Sequence, residues 1–214
     1  MTRGNIVKWQ CKLHTFSIHI ITVQAVRLTQ KSLYYLVINR CFLPGKIAQK
    51  LSLEIFEFIM ERAEDKNPKN EQGWTSLHHA AAAGHLEICK LICKNTSNLN
   101  PRTDVGMTPL HEAAMEGYLE ICKLLVLKVE DKNPIDKWGF TPLHYAAREG
   151  YLEIYRFIAD TVEDKNPEDG EGKTPLQLAD DNDHYEICQL IYAYKIKHRD
   201  AELSNPEKKR CKNE

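Results

Sequence analysis

The sequence predicts an all-α solenoid, in which short helical hairpins follow one another along the chain and stack. A similar segment recurs with a period of 33 residues, beginning at Gly73, Gly106, Gly139 and Gly172. A proline keeps the same period, at Pro68, Pro101, Pro134 and Pro167. Within each segment, apolar residues return at steps of three and four, which is the helical period. Two markers that stay in phase indicate a protein built from repeated helical units.

The composition is typical of a soluble globular protein. Of the 214 residues, 43% are hydrophobic and 28% are charged, which excludes a collagen-like or largely disordered chain. The longest apolar runs, near residues 18–26 and 33–38, are well below the roughly 18 residues that a bilayer span requires. We therefore expect no transmembrane segment.

Charge is distributed unevenly along the chain. Residues 1–53 contain eight Lys or Arg and no acidic residue, whereas residues 54–194 contain 14 basic and 26 acidic residues. An acidic body disfavours contact with the phosphates of nucleic acid, which are bound by clustered Lys and Arg. The sequence therefore argues against a nucleic-acid-binding protein and restricts any attachment to nucleic acid or membrane to the basic ends.

The second repeat shows how each unit begins. Thr108 supplies an N-cap hydroxyl, and Pro109 takes the first helical position, where its missing N–H has no consequence. Leu110, Ala113 and Ala114 then form an apolar face whose small residues let a neighbouring helix approach closely. These positions predict a short first helix.

A second helix follows in each unit. Gly117 stands where a helix commonly ends in a left-handed conformation. The apolar residues after it recur at helical spacing, at Leu119, Ile121, Cys122, Leu124 and Leu125. The polar segment Val-Glu-Asp-Lys-Asn-Pro that comes next is typical of a turn and leads to the next unit. Because helices of about nine residues are marginally stable alone, stacking of repeats must stabilise them.

These residues resemble the ankyrin repeat, which has the same period and the pattern Gly-x-Thr-Pro-Leu-His-x-Ala-Ala. Four clear repeats extend over about residues 70–194. The resemblance implies an ankyrin-repeat solenoid of helix-turn-helix units joined by turns or β-hairpin-like loops. It also implies that the recurring histidines hydrogen-bond within and between the turns and hold each loop against its helix.

Domain boundaries are predicted where the pattern weakens. Residues 40–69 keep the second-helix half of a repeat without Thr-Pro-Leu-His, and we interpret them as a degenerate N-terminal cap. Residues 70–198 are the repeat domain of four units, whose acidic last unit suits a polar C-terminal cap and whose last helix is predicted to run towards His198. Residues 199–214 are predicted to be a basic, disordered tail.

The N-terminal extension, residues 1–39, shows no repeat. It lacks acidic residues and is rich in Ile, Val, Thr and Tyr. A pair of strands, a poorly ordered arm, a mitochondrial presequence and a leader from a misassigned translation start all stay open. The seven cysteines, an odd number with no secretory signal before them, favour a reducing compartment. We predict a cytoplasmic or nuclear location, with mitochondrial targeting by residues 1–39 as the alternative.

No pattern in the sequence indicates catalysis, a metal ion or a cofactor. His78, His111 and His144 recur at one repeat position, but helices one repeat apart lie about 8–10 Å apart, too far for their rings to share an ion through bonds of about 2 Å. The Gly-Lys-Thr at 172–174 lacks the glycine that a phosphate-binding loop requires five residues earlier. The cysteines at repeat positions are interpreted as buried packing residues. We therefore expect a protein that is not an enzyme and takes no metal ion, cofactor or small-molecule substrate.

The resemblance implies that the function is binding, because partners of ankyrin repeats usually dock on the concave side formed by the inter-repeat turns and the first helices. Carried onto this chain, the position between Gly and Thr gives Trp74, Met107, Phe140 and Lys173. The turns add Glu71, Gln72, Arg102, Asp104, Lys137 and Trp138. The ends of the first helices add Met115, Glu116, Arg148 and Glu149.

We expect the large apolar side chains at the Gly-x-Thr position to form a ridge surrounded by mixed charges, a composition typical of binding hot spots. The alternative is that these side chains only cover the turns below them. The predicted function is a non-catalytic adaptor, monomeric by itself, that binds another protein. The rival hypothesis is a substrate-recruiting subunit or fragment of a larger multidomain enzyme or signalling protein, since the fold alone does not decide function.

Overall fold

The structure is a computed structural model that describes residues 53, 54, 56–58 and 60–204. The chain divides into two compact units, of which the first ends at Asn70 and the second begins at Glu71. The predicted N-terminal extension, residues 1–39, lies outside the described residues, as does the part of the predicted cap before residue 53. In the first unit, the described residues up to 62 are helical, with Phe56 and Met60 buried.

The described part of the second unit, residues 71–204, forms eight helices in four pairs. They are α1 (Ser76–Ala82), α2 (Leu86–Asn95), α3 (Pro109–Met115), α4 (Leu119–Val126), α5 (Pro142–Arg148), α6 (Leu152–Ala159), α7 (Pro175–Asp181) and α8 (Tyr185–Ser204). We call α1, α3, α5 and α7 the first helices. Each packs on its own partner and on the first helix of the next repeat, while the even-numbered helices form a second layer. The predicted all-α stack of helical hairpins is therefore confirmed.

The local signals in the sequence mark the ends of the first helices. Thr108 is the N-cap of α3 in an extended conformation, and Pro109 is at its first position, within a capping box. Gly117, which follows α3, has a φ of +82°. A Cβ at Gly117 would lie 2.6 Å from the ring of Tyr151, so the glycine also lets the next repeat approach closely.

The core lies between the two layers of helices. Leu110 is 1% exposed, and Ala113 and Ala114 are fully buried, so the small residues admit a neighbouring first helix as predicted. The repeat cysteines are buried among these apolar residues, and burial raises the pKa of the Cys93 thiol to about 11. This agrees with the interpretation of these cysteines as packing residues.

The turn predicted in Val-Glu-Asp-Lys-Asn-Pro is present. The carboxylate Oδ1 of Asp131 accepts a hydrogen bond from the backbone N–H of Asn133 at 3.2 Å, and Asp164 and Asn166 repeat this turn at 2.9 Å. An Asp that binds the backbone two residues on mimics a backbone turn. The same sequence segment therefore forms the same turn between successive repeats.

The last helix is longer than predicted. The sequence places its end near His198, whereas α8 continues to Ser204, so residues 199–204 of the predicted disordered tail are helical. No Gly or Pro interrupts the chain there until Pro206, and a proline disfavours helical geometry in the residue before it. Residues 205–214 lie outside the described residues. None of the described helices is both long enough and apolar enough to cross a bilayer.

Candidate functional site

The tips of the inter-repeat loops are joined by a ladder of backbone hydrogen bonds. One bond links each loop to the next, from Asp104 N–H to Gln72 O at 3.1 Å, from Lys137 N–H to Val105 O at 2.9 Å and from Gly170 N–H to Trp138 O at 2.8 Å. Each tip is thus fixed relative to its neighbour. The side chains on the loops project from a connected edge and not from independent turns.

The recurring histidines hold these loops against the first helices. In α3, Nδ1 of His111 accepts from the backbone N–H of Thr108 at 3.0 Å, so the ring proton is on Nε2, which donates to the carbonyl of Phe140 at 3.1 Å. His78 and His144 make the same two contacts, with the carbonyls of Met107 and Lys173 respectively. Burial lowers the pKa of His111 to about 4.

Both ring nitrogens of these histidines are therefore used in hydrogen bonds, as the resemblance implied. Among the residues that the structure describes, no group of three or more His, Cys, Asp or Glu side chains is placed to hold a metal ion.

Asp136 fixes the loop that carries the most exposed aromatic candidate. Its Oδ1 accepts from the backbone N–H groups of Trp138 and Phe140 at 2.8 and 2.9 Å. Its Oδ2 accepts from the hydroxyl of Tyr145 at 2.8 Å. Burial, and then this hydrogen bond to a carboxylate, raises the pKa of Tyr145. The buried Asp136 thus connects the loop to α5 and sets the positions of both aromatic residues.

A groove of about 510 Å³ lies on the side of the loops and first helices. It brings together seven of the fourteen candidates predicted from the sequence, namely Trp74, Met107, Met115, Glu116, Trp138, Phe140 and Arg148. Trp138 is 49% exposed, whereas Trp74 and Phe140 are half-buried. Aromatic, Met and Arg side chains thus line one continuous surface of three successive repeats.

The prediction that the apolar side chains at the Gly-x-Thr position form a ridge is wrong in one respect. Met107 is only 9% exposed and contributes to the lining of the groove, so it does not project between Trp74 and Phe140. Methionine is unbranched and flexible, so its side chain can lie down in the groove lining, whereas the ring of Phe140 stays half-buried although its carbonyl accepts the same histidine contact. The aligned side chains therefore line a depression.

Seven candidates lie outside the groove, and of these Glu71, Gln72 and Lys173 are exposed. Arg102 donates to the carbonyl of Ile135 at 2.6 Å and approaches Asp131, which ties two successive loops together. The ammonium of Lys137 lies 4.5 Å from the ring centroid of Trp138. Glu149 accepts from Nε of Arg148 at 2.9 Å, and Asp104 is exposed at the loop edge.

Sequence reasoning missed three residues of the groove, Ala82, Glu112 and Tyr145. Glu112 is the most unusual, because it is 1% exposed and its Oε1 has no hydrogen-bond partner among the described residues. Burial, and then the nearby carboxylate of Glu116, raises the pKa of Glu112 to about 7. Alignment of the repeats could have drawn attention to Glu112. The residues at the same repeat position are His79 and Tyr145, which carry rings instead of a carboxyl group.

Replacing this carboxyl should change how stability depends on pH. The raised pKa means that the folded state favours the neutral form of Glu112. The contribution of this side chain to the free energy of unfolding is therefore greatest below about pH 4.5 and is lost as the pH rises through about 7. We expect the free energy of unfolding of Glu112→Gln, relative to the unmodified protein, to increase by about 2 kcal/mol between pH 5 and pH 8. Urea denaturation at each pH measures this difference.

Glu120→Gln is the matched control, because it is the same substitution at an exposed position of α4. Its difference from the unmodified protein should vary by less than about 0.5 kcal/mol over the same range. Equal pH dependence of the two variants would show that Glu112 is not shielded from water.

The paired helices, Thr-Pro caps and histidine-anchored loops of this chain have a counterpart among known proteins. A family model described as ankyrin repeats (3 copies) matches residues 46–136 and residues 125–201, more than half of the chain. No curated protein matches the chain. Ankyrin repeats are generally protein–protein interaction modules and are typically not catalytic. The chain belongs to the ankyrin repeat family.

Proposed function

We propose that this protein is a non-catalytic adaptor that binds one protein partner in the groove, on the concave side of the stack. The observation that carries the proposal is the exposed Trp138, held by Asp136 beside a groove that spans three repeats. Large aromatic side chains with Arg and Met nearby are the residues that concentrate binding energy in protein interfaces.

The groove is suited to binding because its walls are already fixed. The loop ladder, the histidine contacts and Asp136 hold the groove residues in place without a ligand. A preorganised surface loses less conformational entropy when a partner docks, so more of the contact energy appears as affinity. We expect the protein to act in this way as a monomer.

The histidine and cysteine side chains that recur in the repeats serve the fold. The neutral ring of His111 uses both nitrogens in hydrogen bonds, so this histidine is not available as a base. Burial raises the pKa of Cys93, so its thiolate, the reactive form of a cysteine, is scarce at neutral pH. Structural roles for these two kinds of side chain support the proposal of an adaptor.

The test compares two double variants in affinity purification from the native source with the full chain. Trp138→Ala/Phe140→Ala alters the groove, whereas the control Leu127→Ala/Ile135→Ala removes two exposed apolar side chains outside its lining. We expect one protein to be recovered with the unmodified chain and the control and to be lost with the groove variant.

With that protein purified, Trp138→Ala alone should weaken binding by about 30-fold, equivalent to roughly 2 kcal/mol, with little change in stability. Full retention of the partner by the groove variant contradicts the proposal. Stoichiometric recovery of a ligase, kinase or transferase would favour the rival hypothesis of a recruiting subunit.

A further inference from the structure

The groove combines aromatic rings with a buried carboxyl group. Glu112, on α3, contributes to its lining together with Trp74, Trp138, Phe140 and Tyr145. The Glu112 side chain is 1% exposed, and its Oε1 has no hydrogen-bond partner among the described residues. Glu116, one turn later on the same helix, adds an exposed carboxylate to the groove. The surface is therefore apolar at its walls and acidic along α3.

A carboxylate in this position lacks compensation. Burial of a charge without a hydrogen-bonded partner is strongly unfavourable. An added cation would supply that partner, and the faces of Trp, Tyr and Phe rings attract cations as well. A cationic group with an apolar stem fits both features, since the stem can lie along the rings while the charge meets the carboxylate.

The rings of the groove already hold cations of the protein itself. The guanidinium of Arg148 lies 5.0 Å from the ring centroid of Tyr145, and the ammonium of Lys137 lies 4.5 Å from that of Trp138. Among the described residues neither cation forms an ion pair with Glu112, and Arg148 is instead paired with Glu149 at 2.9 Å. The intramolecular cations thus occupy ring faces and leave the buried carboxyl group unpaired.

We propose that the groove binds a lysine or arginine side chain from a basic segment of the partner protein, with its cationic group against Glu112 and its stem along the aromatic rings. This inference rests on the proposed function and specifies the chemistry of the partner. Charge complementarity supports it, since residues 54–194 contain 26 acidic and 14 basic residues. A basic segment is therefore attracted to the repeat region before its anchor enters the groove.

The test uses two small probes that differ in one charge, Nα-acetyl-lysine-N-methylamide and Nα-acetyl-norleucine-N-methylamide. Each is titrated into the full chain at constant ionic strength and neutral pH, through the millimolar range expected for a single side chain. Binding is followed by the indole N–H signals of Trp74 and Trp138 in NMR spectra. We expect the lysine probe to bind at least about fivefold more tightly than the norleucine probe.

Three variants assign this preference to the groove. Glu112→Gln keeps the shape of the side chain and should reduce the preference for lysine to less than about twofold. Glu120→Gln, which removes an exposed carboxylate from α4, should leave the preference unchanged. Arg148→Gln removes a competing positive charge and should increase the preference for lysine over norleucine by about twofold.

Two outcomes would overturn the proposal. Equal binding of the two probes identifies an apolar groove with no role for charge. No response to either probe means that the groove does not accept a free side chain, including the case in which a basic residue of this chain already fills it. Neither result affects the proposed function, which is decided separately by retention or loss of the partner protein with the Trp138→Ala/Phe140→Ala variant.

Discussion

Gly139→Ala is expected to destabilise the protein by about 4 kcal/mol or more, although it adds a single methyl group. Gly139 has a φ of +81°, a conformation that favours glycine. A Cβ there would lie 2.4 Å from the backbone nitrogen of Gly170 and 2.9 Å from the carbonyl carbon of Asp169. Since both contacts are with backbone, no rotation of a side chain can relieve them.

The added methyl group would also disturb one of the backbone hydrogen bonds that join the inter-repeat loops. The N–H of Gly170 donates to the carbonyl of Trp138 at 2.8 Å, directly beside Gly139. Moving the two loops apart to admit the methyl group would lengthen this bond and separate the third repeat from the fourth. In a stack stabilised by contacts between neighbours, separation at one interface lowers the stability of both repeats.

Gly172→Ala is the control, because Gly172 has nearly the same φ, +80°, and no atom within 4 Å of the added Cβ. It should show only the cost of left-handed geometry for alanine, about 1 kcal/mol. Urea denaturation of both variants measures the contrast. Similar losses of stability would mean that the loops need not approach closely at Gly139, and the ladder would then have little energetic weight.

The parts of the fold predicted from the sequence are those that local chemistry determines. Thr108 and Pro109 favour the start of a helix through their own side chains, as N-cap and first helical residue. Gly117 adopts a left-handed backbone conformation that few other residues accept. These signals act over a few residues and recur with the repeat. The helix starts and the stacking of short units could therefore be predicted without coordinates.

The groove depends on contacts between repeats, which the motif does not specify. Met107 and Phe140 stand at one repeat position, yet Met107 is buried and Phe140 is half-buried. The burial of Glu112 likewise results from the side chains that the neighbouring repeats place around it. The sequence pattern of a single repeat therefore predicts the face on which these residues lie, but it does not predict how deeply each side chain is buried.

The hydrophobic core should lose the most stability where repeats cover each other on both sides. Leu110 occupies the leucine position of Thr-Pro-Leu-His in the second repeat and is 1% exposed. Leu110→Ala is expected to lower the free energy of unfolding by about 2–5 kcal/mol, through lost burial and a residual cavity. The denaturant midpoint in urea should fall with little change in the slope m, because the exposed surface of the unfolded chain is almost unchanged.

Leu176→Ala is the same substitution at the equivalent position of the last repeat. Leu176 is half-buried, since no further first helix covers α7 on its outer side among the described residues. Less apolar surface is removed from water there, so its loss should be about 1 kcal/mol. An equal loss at both sites would contradict a stack whose interior repeats are supported from two sides. A larger loss at Leu110 is the result expected of a stack in which each interior repeat is stabilised by a neighbour on either side.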